Sequence, residues 1–246
     1  MAIYYNTKII TDGLILCLDP ANPKSLVSGS SNFVNLTTSS TSTMTGSFSY
    51  TSTLYTTPVL EINNNGSTST GQVQVVTDNL NDLALTQNFS VMFAAKKNFY
   101  GIGGNNTGNS QLFQGVTSGF TTGWRIVENR TGTPGAAYTS NQIFNFGYND
   151  QNTSLSVTDT GSTNRMSICA FTVSSSTIFG FLNGVTNSRA NPLTYAGGTS
   201  TPRISFIGAG VGSWNGLLGF FMIYNRALSL DEINQNYNAL RGRYGL

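Results

Sequence analysis

Short runs of apolar and β-branched residues recur along this chain, and clusters of Gly, Asn, Ser and Thr separate them. Within 88–95, Phe89, Val91 and Phe93 alternate with Ser, Met and Ala, which predicts a strand with one buried face. No helical periodicity lies between the runs, so the pattern favours antiparallel strands packed in layers. The predicted strands are 14–18, 72–76, 88–95, 111–114, 123–128, 143–148, 166–173 and 178–182.

The end of the chain carries a helical pattern. Ser229 and Glu232 have the spacing of a capping box, in which each side chain accepts from a backbone N–H at the helix start. Apolar residues then recur at steps of three and four and form one stripe. We expect Gly242 to end the helix in the left-handed conformation. The stripe consists of Leu230, Ile233, Tyr237, Leu240 and Tyr244.

Together these elements predict an all-β fold, a two-sheet antiparallel jelly-roll sandwich with one short C-terminal α-helix docked on it. Asn183-Gly184 is the strongest hairpin signal, because both residues tolerate the positive φ of a two-residue turn. Residues 37–57 are mostly Ser and Thr with sparse apolar positions. That stretch predicts either an edge hairpin or a long surface loop.

Charged residues make up 9% of the chain, against roughly 25% in an average soluble domain. The surface therefore interacts mainly through hydroxyls, amides and backbone. The net charge is +2 and no basic run is longer than Lys96-Lys97, which argues against nucleic-acid binding. No apolar run approaches the ~20 residues of a membrane span, and the N-terminus lacks a signal-peptide pattern. We expect a soluble protein made in a cytoplasm.

Most of the side chains that carry out catalysis are missing. The sequence has no histidine, which excludes Ser-His and Cys-His nucleophile pairs and His metal sites. A glycoside hydrolase needs two carboxylates that face one cleft, and no strand carries acidic residues at alternate positions. The adjacent pair Asp231-Glu232 is explained by the helix start. We therefore predict a non-enzymatic protein with no catalytic residues, no metal ligands and no cofactor.

Three further residues each allow two interpretations. Cys17 and Cys169 both lie in apolar strand-like runs, where they are either buried thiols or partners in a disulfide. Asp19 precedes a Pro-rich turn, where it either caps that turn or serves as a cation ligand.

Exposed aromatic faces beside amides are typical of lectin-type sites, and five residues are candidates for such a role. Trp214 is the strongest, because it lies in a Gly-rich stretch that reads as a loop. A structural role is the alternative for each of them. The candidates are Trp214, Trp124, Tyr148, Asn149 and Asp150.

The predicted last strand is apolar on both faces, with Leu217, Phe220 and Met222 among its residues. Either loops and the terminal helix cover its outer face, or that face contacts another subunit, as exposed apolar patches do.

The quoted motifs carry a family resemblance. The run 12–25, the hairpin Phe181-Leu182-Asn183-Gly184 and the run 223–233 resemble concanavalin A-like, laminin-G-like domains of tailed-phage virion proteins. The resemblance extends over nearly the whole chain and implies one domain over 1–246. It implies the same two-sheet jelly roll. Calcium binding is frequent among laminin-G relatives, but too few acids are present here to place a calcium site.

The resemblance implies a non-enzymatic structural protein on the surface of a tailed-phage virion: a capsid decoration protein, a head fibre or a tail-associated adhesin. Its expected partners are other capsid or tail proteins and host surface glycans, with no membrane and no nucleic acid. We expect a homo-oligomer, and a trimer by analogy with phage appendages. The alternative function is a lectin-like carbohydrate-binding module of a bacterial or phage protein.

Overall fold

The structure is a computed structural model, and it describes residues 8–45, 48–51, 57–62, 72–74, 88–97, 109–116, 123–129, 142–148, 155–159, 165–191, 203–204, 212–213 and 216–246. The strands are β1 Leu14–Leu18, β2 Asn32–Val34, β3 Thr41–Thr45, β4 Phe48–Thr51, β5 Val59–Ile62, β6 Gln72–Gln74, β7 Phe89–Lys97, β8 Asn109–Val116, β9 Gly123–Asn129, β10 Gln142–Tyr148, β11 Leu155–Asp159, β12 Ser167–Val173, β13 Thr177–Leu182, β14 Val185–Ala190, β15 Arg203–Ile204, β16 Gly212–Ser213 and β17 Gly216–Tyr224. Helix α1 is Leu230–Leu240, and a 3₁₀ helix, Arg241–Tyr244, follows it.

Within these residues the strands form two sheets. The first sheet has the order β14-β13-β12-β7-β17-β5-β4, and β1 also pairs with β17. The second sheet has the order β11-β10-β9-β8-β15-β6-β3-β2, and β16 also pairs with β8. The β16–β8 pairing is parallel, and the other pairings between described strands are antiparallel. The predicted two-sheet antiparallel sandwich with one C-terminal helix is confirmed.

The main core lies between the two sheets and is built largely from aromatic rings. Phe113 of the second sheet stacks on Trp124 with ring centroids 4.6 Å apart and on Phe221 of the first sheet at 4.4 Å. Phe89 of the first sheet reaches Trp124 at 4.9 Å. Such ring pairs each add about 0.5–1.5 kcal/mol beyond their burial, so this stack holds the two sheets together.

A second apolar layer lies on the outer face of the first sheet, beneath α1. In β7, Phe93 faces the main core, whereas Met92 and Ala94 belong to this second layer. The expectation that β7 has one buried face is therefore wrong. The helix covers the outer face of the sheet, so both faces of its central strands are buried.

The hydroxyl-rich stretch 37–57 contributes two described strands, β3 and β4, one to each sheet. β3 pairs with β2 and β6 in the second sheet, whereas β4 pairs with β5 in the first. The chain therefore changes sheets within this stretch. Alternation decides the packing of β3, because Ser42 and Met44 are buried while Thr41, Thr43 and Thr45 are exposed.

The capping box at the start of α1 is confirmed. The Glu232 N–H donates to Ser229 Oγ at 3.3 Å, and the Ser229 N–H donates to the Glu232 carboxylate at 2.9 Å. Two other expectations for this helix are wrong. Leu230 is exposed and does not join the buried stripe. Gly245, with φ of 69°, adopts the left-handed conformation in place of Gly242, because the 3₁₀ helix prolongs the helical segment.

The predicted hairpin at Asn183-Gly184 joins β13 to β14, and both turn residues have positive φ, 48° and 95°. Cys17 and Cys169 are buried and form no disulfide. Cys17 belongs to the layer beneath α1 and Cys169 to the main core, so the two thiols lie on opposite faces of the first sheet. None of the helices in the described ranges is long and apolar enough to cross a membrane.

Candidate functional site

Polar contacts on the outer face of the first sheet concentrate where β17 ends and α1 begins. Ser90 of β7 and Thr172 of β12 are neighbours in register, and their hydroxyls form a hydrogen bond. Both hydroxyls accept from the Leu228 N–H, at 2.8 Å and 3.0 Å. Ser90 Oγ also donates to the Arg226 carbonyl at 2.9 Å. Two strand hydroxyls thus replace the missing backbone partners of the loop that leads into the helix.

Arg226 connects this loop with the first turn of α1 and with the segment before β1. Its guanidinium forms two hydrogen bonds with the Glu232 carboxylate, at 2.9 Å and 2.7 Å. Its Nε lies 2.9 Å from Asp12 Oδ2. The hydrogen bonds from Arg226 lower the pKa of Glu232 to about 2, and the Glu232 carboxylate raises the pKa of Arg226.

The segment before β1 is held on α1 by a buried tyrosine. Tyr224 Oη donates to the Ile10 carbonyl at 3.0 Å and accepts from Asn236 Nδ2 at 3.0 Å. Asn236 Oδ1 in turn accepts from the Ile10 N–H at 2.7 Å. Burial raises the pKa of Tyr224, so its hydroxyl keeps its proton and remains the donor at neutral pH.

Asp19 caps the turn that follows β1, which was one of its two predicted roles. Its Oδ1 accepts from the Ala21 N–H at 3.0 Å. Its Oδ2 pairs with Arg243 Nη1 at 2.8 Å, which fastens the 3₁₀ helix to β1. Burial raises the pKa of the nearby Cys17 thiol to about 12, with a further contribution from the charge of Asp19.

Four of the described acidic residues are bonded to a guanidinium or a hydroxyl. Asp12 and Glu232 pair with Arg226, Asp19 pairs with Arg243, and Glu61 accepts from Ser49 Oγ at 3.1 Å. No group of three or more His, Cys, Asp or Glu side chains that could hold a metal ion occurs among the described residues.

Trp124 is the one predicted ligand-binding residue whose side chain the structure describes. Trp214, Asn149 and Asp150 lie outside the described residues, and only the backbone of Tyr148 is described. Trp124 is fully buried in the main core. Its candidacy as an exposed aromatic platform is therefore wrong, because alternation along β9 points it between the sheets.

Strand register gives the separation between two described backbone positions, Tyr148 and Ser213. Tyr148 aligns through Trp124 with Gly115 of β8, whereas Ser213, which precedes Trp214, aligns with Gln111 on the opposite side of β8. The two positions lie roughly 13 Å apart along the strands and about 14 Å apart across them.

The predicted subunit contact at Leu217, Phe220 and Met222 is also wrong. All three side chains are fully buried in the layer beneath α1 and the 3₁₀ helix. Phe220 lies against the ring of Tyr244, with centroids 6.3 Å apart. The terminal helix covers this face, which was the alternative interpretation.

Sequence reasoning missed Ser90, Thr172 and Asn236. Ser90 and Thr172 are buried hydroxyl residues in otherwise apolar strands, and that break in the pattern was the available signal. Asn236 is a buried amide on the helix face that also carries Ile233 and Leu240. Asn35 was also missed: it is buried, and its amide bonds Cys17 N at 2.9 Å and the Ile15 carbonyl at 3.0 Å.

Comparison with known proteins agrees with this architecture. Residues 67–234 match the family model Laminin_G_3, described as the concanavalin A-like lectin/glucanases superfamily. A search of curated protein sequences found no match.

Three solved structures illustrate the likeness. A receptor binding domain has a TM-score of 0.67 at 17% identity, covering 97% of this chain and 53% of that chain. The binding domain of Botulinum Neurotoxin DC in complex with SialylT has a TM-score of 0.64 at 14% identity, covering 93% of this chain and 52% of that chain. The third is domain 4 of AbnA, a GH43 extracellular arabinanase from Geobacillus stearothermophilus, in complex with arabinotriose. It has a TM-score of 0.57 at 16% identity, covering 92% of this chain and 98% of that chain.

This chain spans about half the length of the first two structures and nearly all of the third. At such identities the likeness concerns the fold alone. The family model, by contrast, matches more than half of the sequence. The protein therefore belongs to the concanavalin A-like lectin/glucanases superfamily.

Proposed function

We propose that this protein is a non-enzymatic adhesive domain on the surface of a tailed-phage virion, as a capsid decoration protein, head fibre or tail-associated protein. The observation that carries the proposal is the pairing of the two segments that resemble such virion proteins. β1, from the run 12–25, pairs with the end of β17, which opens the run 223–233. The ion pair between Asp12 and Arg226 joins the same two segments. The resemblance thus rests on one packed unit of the fold.

Carbohydrate recognition is the second part of the proposal. Support comes from family membership and from two structural neighbours that are complexes, one with arabinotriose and one with SialylT. We propose Trp214 as the aromatic contact of one subsite. Tyr148, Asn149 and Asp150 form the other. An indole face supplies a large rigid apolar surface, and amides supply hydrogen bonds to sugar hydroxyls.

The absence of catalysis is proposed on the roles of the described carboxylates. Asp12 and Glu232 both pair with Arg226, and Asp19 pairs with Arg243, so each of these carboxylates is engaged by a guanidinium. The hydrogen bonds from Arg226 lower the pKa of Glu232 to about 2, which suits this carboxyl poorly as a general acid.

A lectin-like carbohydrate-binding module is the alternative, favoured by the arabinanase domain whose length this chain matches. Two assays on the same purified protein distinguish the functions: a glycan array and co-sedimentation with purified tailed-phage capsids. The virion function predicts co-sedimentation, with or without glycan signal. Glycan binding without capsid association would favour the module. Failure of both assays would contradict both functions.

The glycan subsites are tested with variants. We expect Trp214→Ala to weaken glycan binding at least about tenfold, whereas Trp214→Phe keeps an aromatic face and most of the affinity. Thr43→Ala, at an exposed position on β3, is the matched control. Unchanged affinity in Trp214→Ala would remove Trp214 from the site.

Light scattering on the same samples tests the proposed homo-oligomer, and a mass other than three chains would reject the trimer.

A further inference from the structure

The two sheets meet edge to edge along one side of the sandwich. β14 is the last described strand of the first sheet, and β11 is the last described strand of the second. All six residues of β14 are exposed. An exposed edge strand offers unpaired N–H and C=O groups on which another strand can add. Without protection, this side of the sandwich would therefore be open to association with a second copy.

A glycine brings the two edges together. Gly180 of β13 lies directly opposite β11, where a Cβ would collide with Val157 and lie 3.1 Å from Leu155 Cδ2. A glycine in a strand often marks such a close approach. Because Gly180 has no side chain, Leu155 and Val157 pack directly on β13 and draw β11 to the edge of the first sheet.

The cross-strand partner of Gly180 is Asn187 on β14. Asn187 Nδ2 donates to the Ser156 carbonyl of β11 at 2.8 Å. Asn187 Oδ1 accepts from the Ser188 N–H of its own strand at 2.9 Å. One side-chain amide thus occupies an edge carbonyl of the second sheet and an edge N–H of the first.

We propose that the Gly180–Asn187 pair closes this side of the sandwich against strand addition, so that a second copy of this chain does not pair along β14 or β11. Gly180 sets the distance between the edges, and Asn187 occupies the backbone groups that an added strand would use. The six exposed residues of β14 remain compatible with a non-associating edge because its Ser188 N–H is already bonded.

The test compares Asn187→Ala with Thr186→Ala, its exposed neighbour on the same strand, in the full chain. We expect Asn187→Ala to raise the sedimentation coefficient above that of the wild type as protein concentration increases. We also expect amide exchange at Ser188 to accelerate at least about tenfold, because its N–H loses its acceptor. Thr186→Ala should match the wild type in both measurements.

Asn187→Asp removes the donor to the Ser156 carbonyl but keeps an acceptor for the Ser188 N–H. Its carboxylate still accepts from Ser188 and adds an edge charge, so we expect wild-type sedimentation and a protected Ser188 amide. Should Asn187→Ala fail to fold, Asn187→Thr, which suits a strand and cannot reach Ser156, takes its place. Wild-type sedimentation and unchanged Ser188 exchange in the folded Ala or Thr variant would overturn the proposal.

Discussion

Gly219 and Tyr244 approach so closely that a Cβ on Gly219 would lie 2.5 Å from the Tyr244 hydroxyl oxygen. Gly219 stands in β17 where the register with β7 shifts, between Leu218 and Phe220. The irregular strand and the missing side chain together admit the tyrosine ring. Through this contact the 3₁₀ helix packs against the first sheet.

The first prediction concerns this contact. Gly219→Ala should lower the free energy of unfolding by about 1–3 kcal/mol, because the added methyl displaces Tyr244. Urea unfolding followed by Trp fluorescence measures the change. Gly242→Ala is the matched control, since no atom lies within 4 Å of a Cβ there. In a Tyr244→Ala background the cost of Gly219→Ala should largely disappear, and an undiminished cost would show that Tyr244 is not its cause.

The second prediction concerns the two-bond ion pair of Arg226. Arg226→Ala should destabilise the protein by about 1–2 kcal/mol, because the pair is bidentate but partly exposed to solvent. The stability of Arg226→Lys should lie between those of Arg226→Ala and the wild type, since an ammonium keeps the charge but cannot form both hydrogen bonds of the guanidinium. Lys24→Ala, which removes an exposed charge, should have little effect on the same unfolding curve. Equal stability of Arg226→Ala and the wild type would contradict this role.

The third prediction is a pH dependence. The pKa of Glu232 is lowered from 4.5 to about 2, so its ionised form stabilises the folded state. That contribution is complete above the unfolded pKa near 4.5 and is lost as the pH falls through about 2. Glu232→Gln keeps a capping side chain but loses the charge. The stability difference between wild type and Glu232→Gln should therefore shrink as the pH falls through this range.

Urea titrations at a series of pH values measure this difference. Asp231→Asn, in the same helical turn, removes an exposed neighbouring charge and controls for the change in net charge. A difference between wild type and Glu232→Gln that stays constant down to about pH 2 would contradict the assignment.

The fourth prediction concerns the shared N–H of Leu228. Thr172→Val should cost little, because Ser90 Oγ still accepts from this N–H. Ser90→Ala should cost more, because it also removes the bond to the Arg226 carbonyl. The double variant leaves a buried donor without an acceptor, which costs about 1–3 kcal/mol. A double-mutant cycle should therefore show a coupling of similar size. Additive effects of the two single variants would mean that the hydroxyls act independently.

Several features follow from interactions within a few residues. The capping box needs Ser229 and Glu232 three positions apart, and the two-residue hairpin needs Asn183 beside Gly184. Asp19 capped its turn through the N–H two residues ahead. Such local chemistry is visible in the sequence because both partners are neighbours in the chain.

Other features depended on contacts that no local pattern reveals. Tyr224 meets Ile10 and Arg226 meets Asp12, each across 214 positions. Leu230 continues the apolar stripe but is exposed. Trp124 allowed two interpretations, platform or core, and its burial depends on which face of β9 meets the opposite sheet.

The sequence by itself determined the strand-rich fold class, the start of the terminal helix and the main turns, because propensity, alternation and capping act over a few neighbouring residues. The tertiary structure decided which apolar faces are covered, which sheet each hydroxyl-rich strand joins, and which buried hydroxyls and carboxylates meet. Those outcomes depend on the packing of segments that lie far apart in the chain. The free energy of burying a face is fixed only when its partner is in place.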